Sequence, residues 1–129
     1  SKKGVDVRII TPAIPDKKMV FLLTQSYYSQ LVEAGVKIYE YTPGFIHAKN
    51  FVCDDEFAVV GTINLDYRSL YLHFECAAWM YKCRAVGQVK EDMLETFEKC
   101  RQIDLEFCRS QNIFRRGMQS ILRLFAPML

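Results

Sequence analysis

The sequence has no C-x-x-C pair, and its five cysteines are odd in number and unevenly spaced. That pattern excludes a disulfide-stapled secreted scaffold and points to reduced thiols in a cytosolic setting. Cys53 and Cys76 stand in apolar runs and are expected to act as small core hydrophobes. No apolar run is long enough to cross a bilayer. The opening SKKGVDVRII is neither a signal sequence nor an initiation site, and reads as the start of a fragment. Only two histidines, His47 and His73, are present, with no cysteine cluster to join them, so no metal and no other cofactor is expected. Repeats, low-complexity tracts and linkers are missing too. Acidic residues stop at Glu106, whereas Arg109, Arg115, Arg116 and Arg123 follow it. The net charge of +2 is too small to mark a nucleic-acid binder, and no nucleic-acid partner is expected.

What is present is a chain of 129 residues, half of them hydrophobic, enough for one core of ordinary size. Val5 to Ile10 reads as a buried strand ending near Pro12. Val20, Leu23, Tyr27, Leu31 and Ala34 recur at helical spacing, which predicts one helix from about Asp16 that Gly35 ends with a left-handed cap. VKIYEYTP is a second strand, parallel to the first across that helix, and the class is therefore α/β. IHAKNFVCDDEFAVVG predicts a hairpin turning at Asp54, Asp55 and Glu56. A short helix capped by Asn64 and a strand in HFECAAWMY come next, then a helix from about Val86 to Cys108.

Within the hairpin, His47 and Lys49 stand two apart, so a strand turns both to one face. A buried ammonium is costly unless an anion neutralises it, which makes phosphate a fitting ligand. Thr62 and Asn64, again two apart, add hydroxyl and amide donors near a helix start that also favours negative charge. Glu75 lies in the third apolar run, where it is expected to take one imidazole proton of His47 and fix the ring's tautomer.

His47-x-Lys49-x-x-x-x-Asp54, followed by Gly61-Thr62-x-Asn64 and a later Glu75, resembles the HKD motif of the phospholipase D superfamily. GVDVRIITP, EAGVKIYEYTPGFIHAK and VVGTINLDYRSLYLHFE are similar to the second catalytic half of bacterial cardiolipin synthases, from Gly4 to about Tyr81. The resemblance implies a phospholipase D-like fold, a mixed β-sheet flanked by helices, as one half of a two-motif enzyme. It also implies phosphatidyl transfer between two phosphatidylglycerol molecules through a phosphohistidine, at the cytoplasmic side of a bacterial cell membrane. Lys49, Asn64 and Thr62 then hold phosphate oxygens and Glu75 orients His47, while Asp54, at the hairpin turn, braces that turn or a nearby loop. The resemblance does not decide whether His47 is the nucleophile or the acid. Only one motif is present where the chemistry needs two, so the partner is either the N-terminal HKD half or a second copy. A single-motif homodimeric phosphodiesterase or nuclease, and an inactive isolated half, are the alternatives.

A boundary is expected near Gln111, with residues 1–110 as the HKD domain and 111–129 as a basic amphipathic helix. On a helical wheel Ile113, Phe114, Met118, Ile121, Leu122, Leu124 and Phe125 fill one half, and Arg115, Arg116, Gln119, Ser120 and Arg123 the other. Such a helix suits an anionic membrane surface or packing on another domain.

Overall fold

A computed structural model describes residues 1–126; the wheel positions of the Ile113 and Arg116 side chains, and tail residues 127–129, lie outside the described residues. The chain forms two compact units, one made of residues 1–46 with residues 99–126, the other of His47–Glu98.

In the first unit, β1 (Arg8–Pro12) runs parallel to β2 (Lys37–Tyr41), and β6 (Cys100–Ile103) joins β2 antiparallel on its other side. β1 starts later than Val5 because its ladder opens where the Lys37 amide donates to the Val7 carbonyl. It ends on Pro12, which an edge strand tolerates because no neighbour needs its missing N–H.

The single helix expected between these strands is broken into α1 (Lys18–Ser26) and α2 (Tyr28–Glu33). Ser26 Oγ donates to the Leu23 carbonyl at 2.6 Å, a side-chain bond to the backbone that bends a helix at this point. Tyr27 N–H bonds Thr24 O at 3.1 Å. At the far end Gly35 does cap α2, with φ at +84°. Val36 N–H reaches Leu31 O and Gly35 N–H reaches Val32 O, both at 2.9 Å, the paired bonds of a Schellman motif.

The core gathers Tyr28, Ile38 and Ile103, with Leu31, Val32 and Phe107 against them. Tyr28 OH is hydrogen-bonded to Thr11 Oγ1 at 2.7 Å. Glu40 shares the inward face of β2 with Ile38 and is only 1% exposed. It is neutralised by Arg101 of β6 at 2.6 Å and accepts from Gln25 Nε2 at 2.9 Å. The expected helix from Val86 to Cys108 therefore stops short. α3 (Arg84–Glu98) ends before β6, and α4 (Leu105–Arg109) starts after it, capped by Asp104. Pairing with β2 overrides helical spacing that runs through Cys100. The last helix, α5 (Ile113–Leu124), packs on α1.

The second unit is an antiparallel sheet of β3 (Asn50–Cys53), β4 (Phe57–Gly61) and β5 (Ala77–Tyr81). The β3–β4 hairpin turns at Asp54 and Asp55, both in the left-handed region, at φ 50° and 59°, which aspartate tolerates better than most residues. α3 packs against all three strands and buries Val86, as Ala58 is buried in β4. Direct cross-strand partners share a face, so Phe57, Trp79 and Tyr81 point opposite to Ala58. They stack on one another with ring centroids 4.8 to 5.9 Å apart, and Trp79 and Tyr81 are exposed. Cys53 and Cys76 are not core residues; both are exposed. Cys53 ends its strand beside the turn, and Cys76 precedes β5, where its backbone rather than its side chain is engaged.

Thus the α/β class and the hairpin are as expected, with the strands divided between a mixed sheet and an antiparallel one.

Candidate active site

His47 and Lys49 lie in the extended segment that feeds β3 rather than in the strand itself. The last ladder bond joins Gly61 N–H to Lys49 O at 3.2 Å. His47 is exposed and Lys49 half-buried, so neither carries the full desolvation cost that a core strand would impose. Lys49 Nζ donates to the His47 carbonyl at 2.6 Å, which folds the ammonium back beside the histidine. His47, Lys49, Gly61, Thr62 and Asn64 line one cavity of about 190 Å³. That is below the roughly 300–1,000 Å³ of sites that enclose whole small molecules. It has the size for a phosphodiester and its immediate substituents.

Gly61 is required by close packing. A Cβ at that position would meet the Cys76 carbonyl oxygen and would lie 2.6 Å from Ala77 Cα. Through this contact β4 and the segment before β5 approach closely enough for Thr62 to reach Glu75. Thr62 Oγ1 donates to Glu75 Oε2 and accepts from Cys76 N–H at 3.1 Å, while Thr62 N–H bonds Cys76 O at 3.0 Å. Its one proton thus goes to Glu75, a role that spacing alone did not reveal.

Glu75 precedes β5 and has a side chain 15% exposed. Hydrogen bonds from Thr62 and then Ser69 hold its carboxyl below the usual carboxylate range, with the charges of His73 and Lys49 adding to the effect. His73 Nδ1 stands 3.9 Å from Glu75 Oε1 and its Nε2 meets Arg68 at 3.2 Å. Ser69 and Arg68 were not singled out in the sequence, and His73 was weighed only as a metal ligand; Tyr67 to His73 becomes readable only once folded.

The side chain that bonds the backbone at the start of the helical turn in this segment is Asp66 rather than Asn64. Asp66 Oδ1 accepts from Ser69 N–H at 2.7 Å at the start of a single π-helical turn, Arg68–Leu72. One turn carries little dipole, so the anion-binding argument from a helix start loses its weight here. Asn64 instead lines the cavity and donates from Nδ2 to Ser69 Oγ at 3.3 Å. Asn64, Ser69, Glu75 and Thr62 thereby form one linked polar wall.

Asp54 does not join the cavity lining. It sits at the hairpin turn, where its carboxylate is 3.4 Å from Cys53 Sγ and pushes that thiol's pKa up. Among the described residues no group of three histidine, cysteine or acidic side chains is placed to hold a metal. No helix among them is long and apolar enough to cross a membrane.

A family profile described as "Cardiolipin synthase, PLD-like domain" matches residues 1–99. The whole chain is 50% identical over 129 residues to an uncharacterized protein of Streptococcus mutans, covering 28% of that protein. It is 43% identical over 126 residues to a cardiolipin synthase of Halalkalibacterium halodurans and 44% identical over 126 residues to one of Geobacillus kaustophilus. In both of these 98% of this chain and 25% of the relative are covered. The chain therefore spans about a quarter of the length of the curated relatives it matches.

Proposed function

This chain belongs to the phospholipase D-like domain family of cardiolipin synthase, and from that premise we propose that it supplies one of the two histidines of a phosphatidyl transferase. The observation that carries the proposal is the convergence of His47, Lys49, Thr62 and Asn64 on one phosphate-sized cavity. The substrate is phosphatidylglycerol, twice over.

In the first step one histidine of the pair attacks phosphorus. A nitrogen–phosphorus bond forms, the ester bond to glycerol breaks, and the other histidine gives its proton to the departing alkoxide. In the second step that histidine takes the proton of a hydroxyl on another phosphatidylglycerol. The new oxygen attacks phosphorus, the nitrogen–phosphorus bond breaks, and cardiolipin is complete. Lys49 and Asn64 stabilise the non-bridging oxygens, whose charge is most demanding in the transition state. Thr62 donates to Glu75, the carboxylate to which we assign the orienting of His47, while the imidazole beside it in this chain is His73 at 3.9 Å. Asp54 braces the hairpin turn.

The second histidine comes from another HKD half, and we seat it on the uncovered aromatic face of the β3–β4–β5 sheet. Strand alternation places Lys49 on the same side as Phe51 and Trp79, which supports a partner that completes the cavity while covering that face. In this reading residues 1–110 are the catalytic half, working at the cytoplasmic side of a bacterial cell membrane.

The test is turnover by the intact enzyme supplied with phosphatidylglycerol, read as cardiolipin and glycerol formed together. His47→Ala is expected to lower the rate by at least ~10³-fold, as removal of a catalytic group does elsewhere, while leaving the unfolding midpoint nearly unchanged. Activity near wild type in that variant would refute the role of His47. Consumption of DNA in place of phosphatidylglycerol would replace the transferase by a phosphodiesterase.

A further inference from the structure

The last helix is docked the opposite way round from a core-facing amphipathic helix. Two of its arginines, exposed Arg115 and half-buried Arg123, reach back to the protein. Arg115 Nη2 donates to Gln25 Oε1 at 2.5 Å, and Arg123 Nε donates to Ser26 Oγ at 3.0 Å while its guanidinium lies 4.8 Å from the Tyr27 ring centroid. Gln119 is buried and hydrogen-bonded to Gln111, and Leu122 and Ala126 complete the inward contact. Outward stand Phe114, Met118, Ile121, Leu124 and Phe125, between 50% and 83% exposed. Five large apolar side chains on one helix flank are far more than the scattered exposed residues of an ordinary surface.

The chemistry of the surroundings selects what covers this face. Both anchoring arginines are held by neutral partners, an amide, a hydroxyl and an aromatic ring, and among the described residues no carboxylate pairs with either. No acidic residue follows Glu106, and exposed Lys17 and Lys18 flank and begin α1, on which α5 rests. An apolar flank over positive charge is complementary to an anionic lipid surface, with acyl chains for the side chains and phosphates for the cations. The helix is about 18 Å long, too short to span a hydrocarbon core of about 30 Å.

We infer that α5 is a pre-docked wedge that lies in the interface of an anionic bilayer, inserting Phe114, Met118, Ile121, Leu124 and Phe125 while Arg115 and Arg123 hold it to α1. Insertion is mainly apolar, and charge supplies preference for anionic lipid rather than most of the grip. The inference rests on the lipid-transfer reading for the identity of the surface. Its test needs no turnover.

The 129-residue chain is mixed with vesicles of phosphatidylglycerol or of phosphatidylcholine and floated through a density gradient at low and high salt. It is expected to float with phosphatidylglycerol, to prefer it over phosphatidylcholine, and to stay bound when salt is raised. The double variant Ile121→Ser with Leu124→Ser loses at least ~10-fold in partition, since two inserted side chains are removed. Its helical circular dichroism stays unchanged, because both positions are exposed in the free chain. His47→Ala floats like the parent, so failure of the catalytic reading and failure of this one are distinguishable. Equal flotation of the serine variant and the parent would overturn the inference. So would a chain that stays off phosphatidylglycerol vesicles, one that floats equally with phosphatidylcholine, or a dimer in solution that the serine variant dissolves.

Discussion

A threonine hydroxyl has a single proton, and Thr62 donates it to Glu75, which draws that carboxyl's pKa down. The carboxyl is held below the 4.5 of an unperturbed glutamate, first by Thr62 and then by Ser69. A depressed carboxylate contributes stability fully at pH above its unfolded value, near 4.5, and loses it as pH falls through the lower folded value. Thr62→Val removes the first of these donors. The Glu75 pKa then moves up toward 4.5, and the acid limb of the pH–rate profile of the intact enzyme moves to higher pH with it. An unmoved acid limb would separate Glu75 from catalysis. Gly61→Ala tests the same wall by shape: a methyl there meets backbone rather than a yielding side chain, and about 1–3 kcal/mol of stability is expected to be lost in denaturant unfolding. At this scale the sequence was informative where spacing is chemistry. Intervals singled out His47, Lys49, Thr62 and Asn64, which the fold brings to one cavity, and Glu75, which lies outside its lining and bonds Thr62, whereas Ser69 and His73 reach Glu75 only through the path of a folded loop.

Among the elements, β1, β2 and the β3–β4 hairpin were legible because β-branched runs and turn residues act locally. The break at Tyr27 was not, because it depends on the Ser26 hydroxyl turning back onto Leu23. β6 was hidden more deeply. Cys100 continues the helical spacing of Val89, Met93 and Phe97, and only β2 as a neighbour makes Cys100–Ile103 a strand. The Glu40–Arg101 ion pair joins the two strands across that ladder. Arg101→Ala leaves the Glu40 carboxylate buried with Gln25 and the Tyr28 hydroxyl as its remaining partners, and because Arg101 is itself 56% exposed the loss is expected at about 1–3 kcal/mol. Glu40→Leu with Arg101→Leu removes both charges and is expected to cost clearly less than Arg101→Ala alone. Chemical denaturation of the two variants side by side checks the order; equal losses would mean that the arginine acts through its packing on Phe107 instead.

For the whole molecule, the notable fact is the itinerary of the chain. It leaves the first unit after Ile46, completes residues 47–98 as a contiguous stretch, and returns at Lys99 to lay β6 beside β2. Thr42 Oγ1 donates to the Lys99 carbonyl at 3.2 Å, and Tyr41 lies opposite Cys100, so the points of departure and return are stitched together. On the ribosome, where the chain emerges from its amino end, the middle segment can acquire its hairpin and α3 while β2 still lacks one neighbour. Once collapsed, that segment shortens the span of disordered chain that must be closed before β6 can dock, and so lowers the entropic barrier to sealing the first sheet. The order of synthesis thus lets residues 47–98 fold before β6 is available to complete the first sheet.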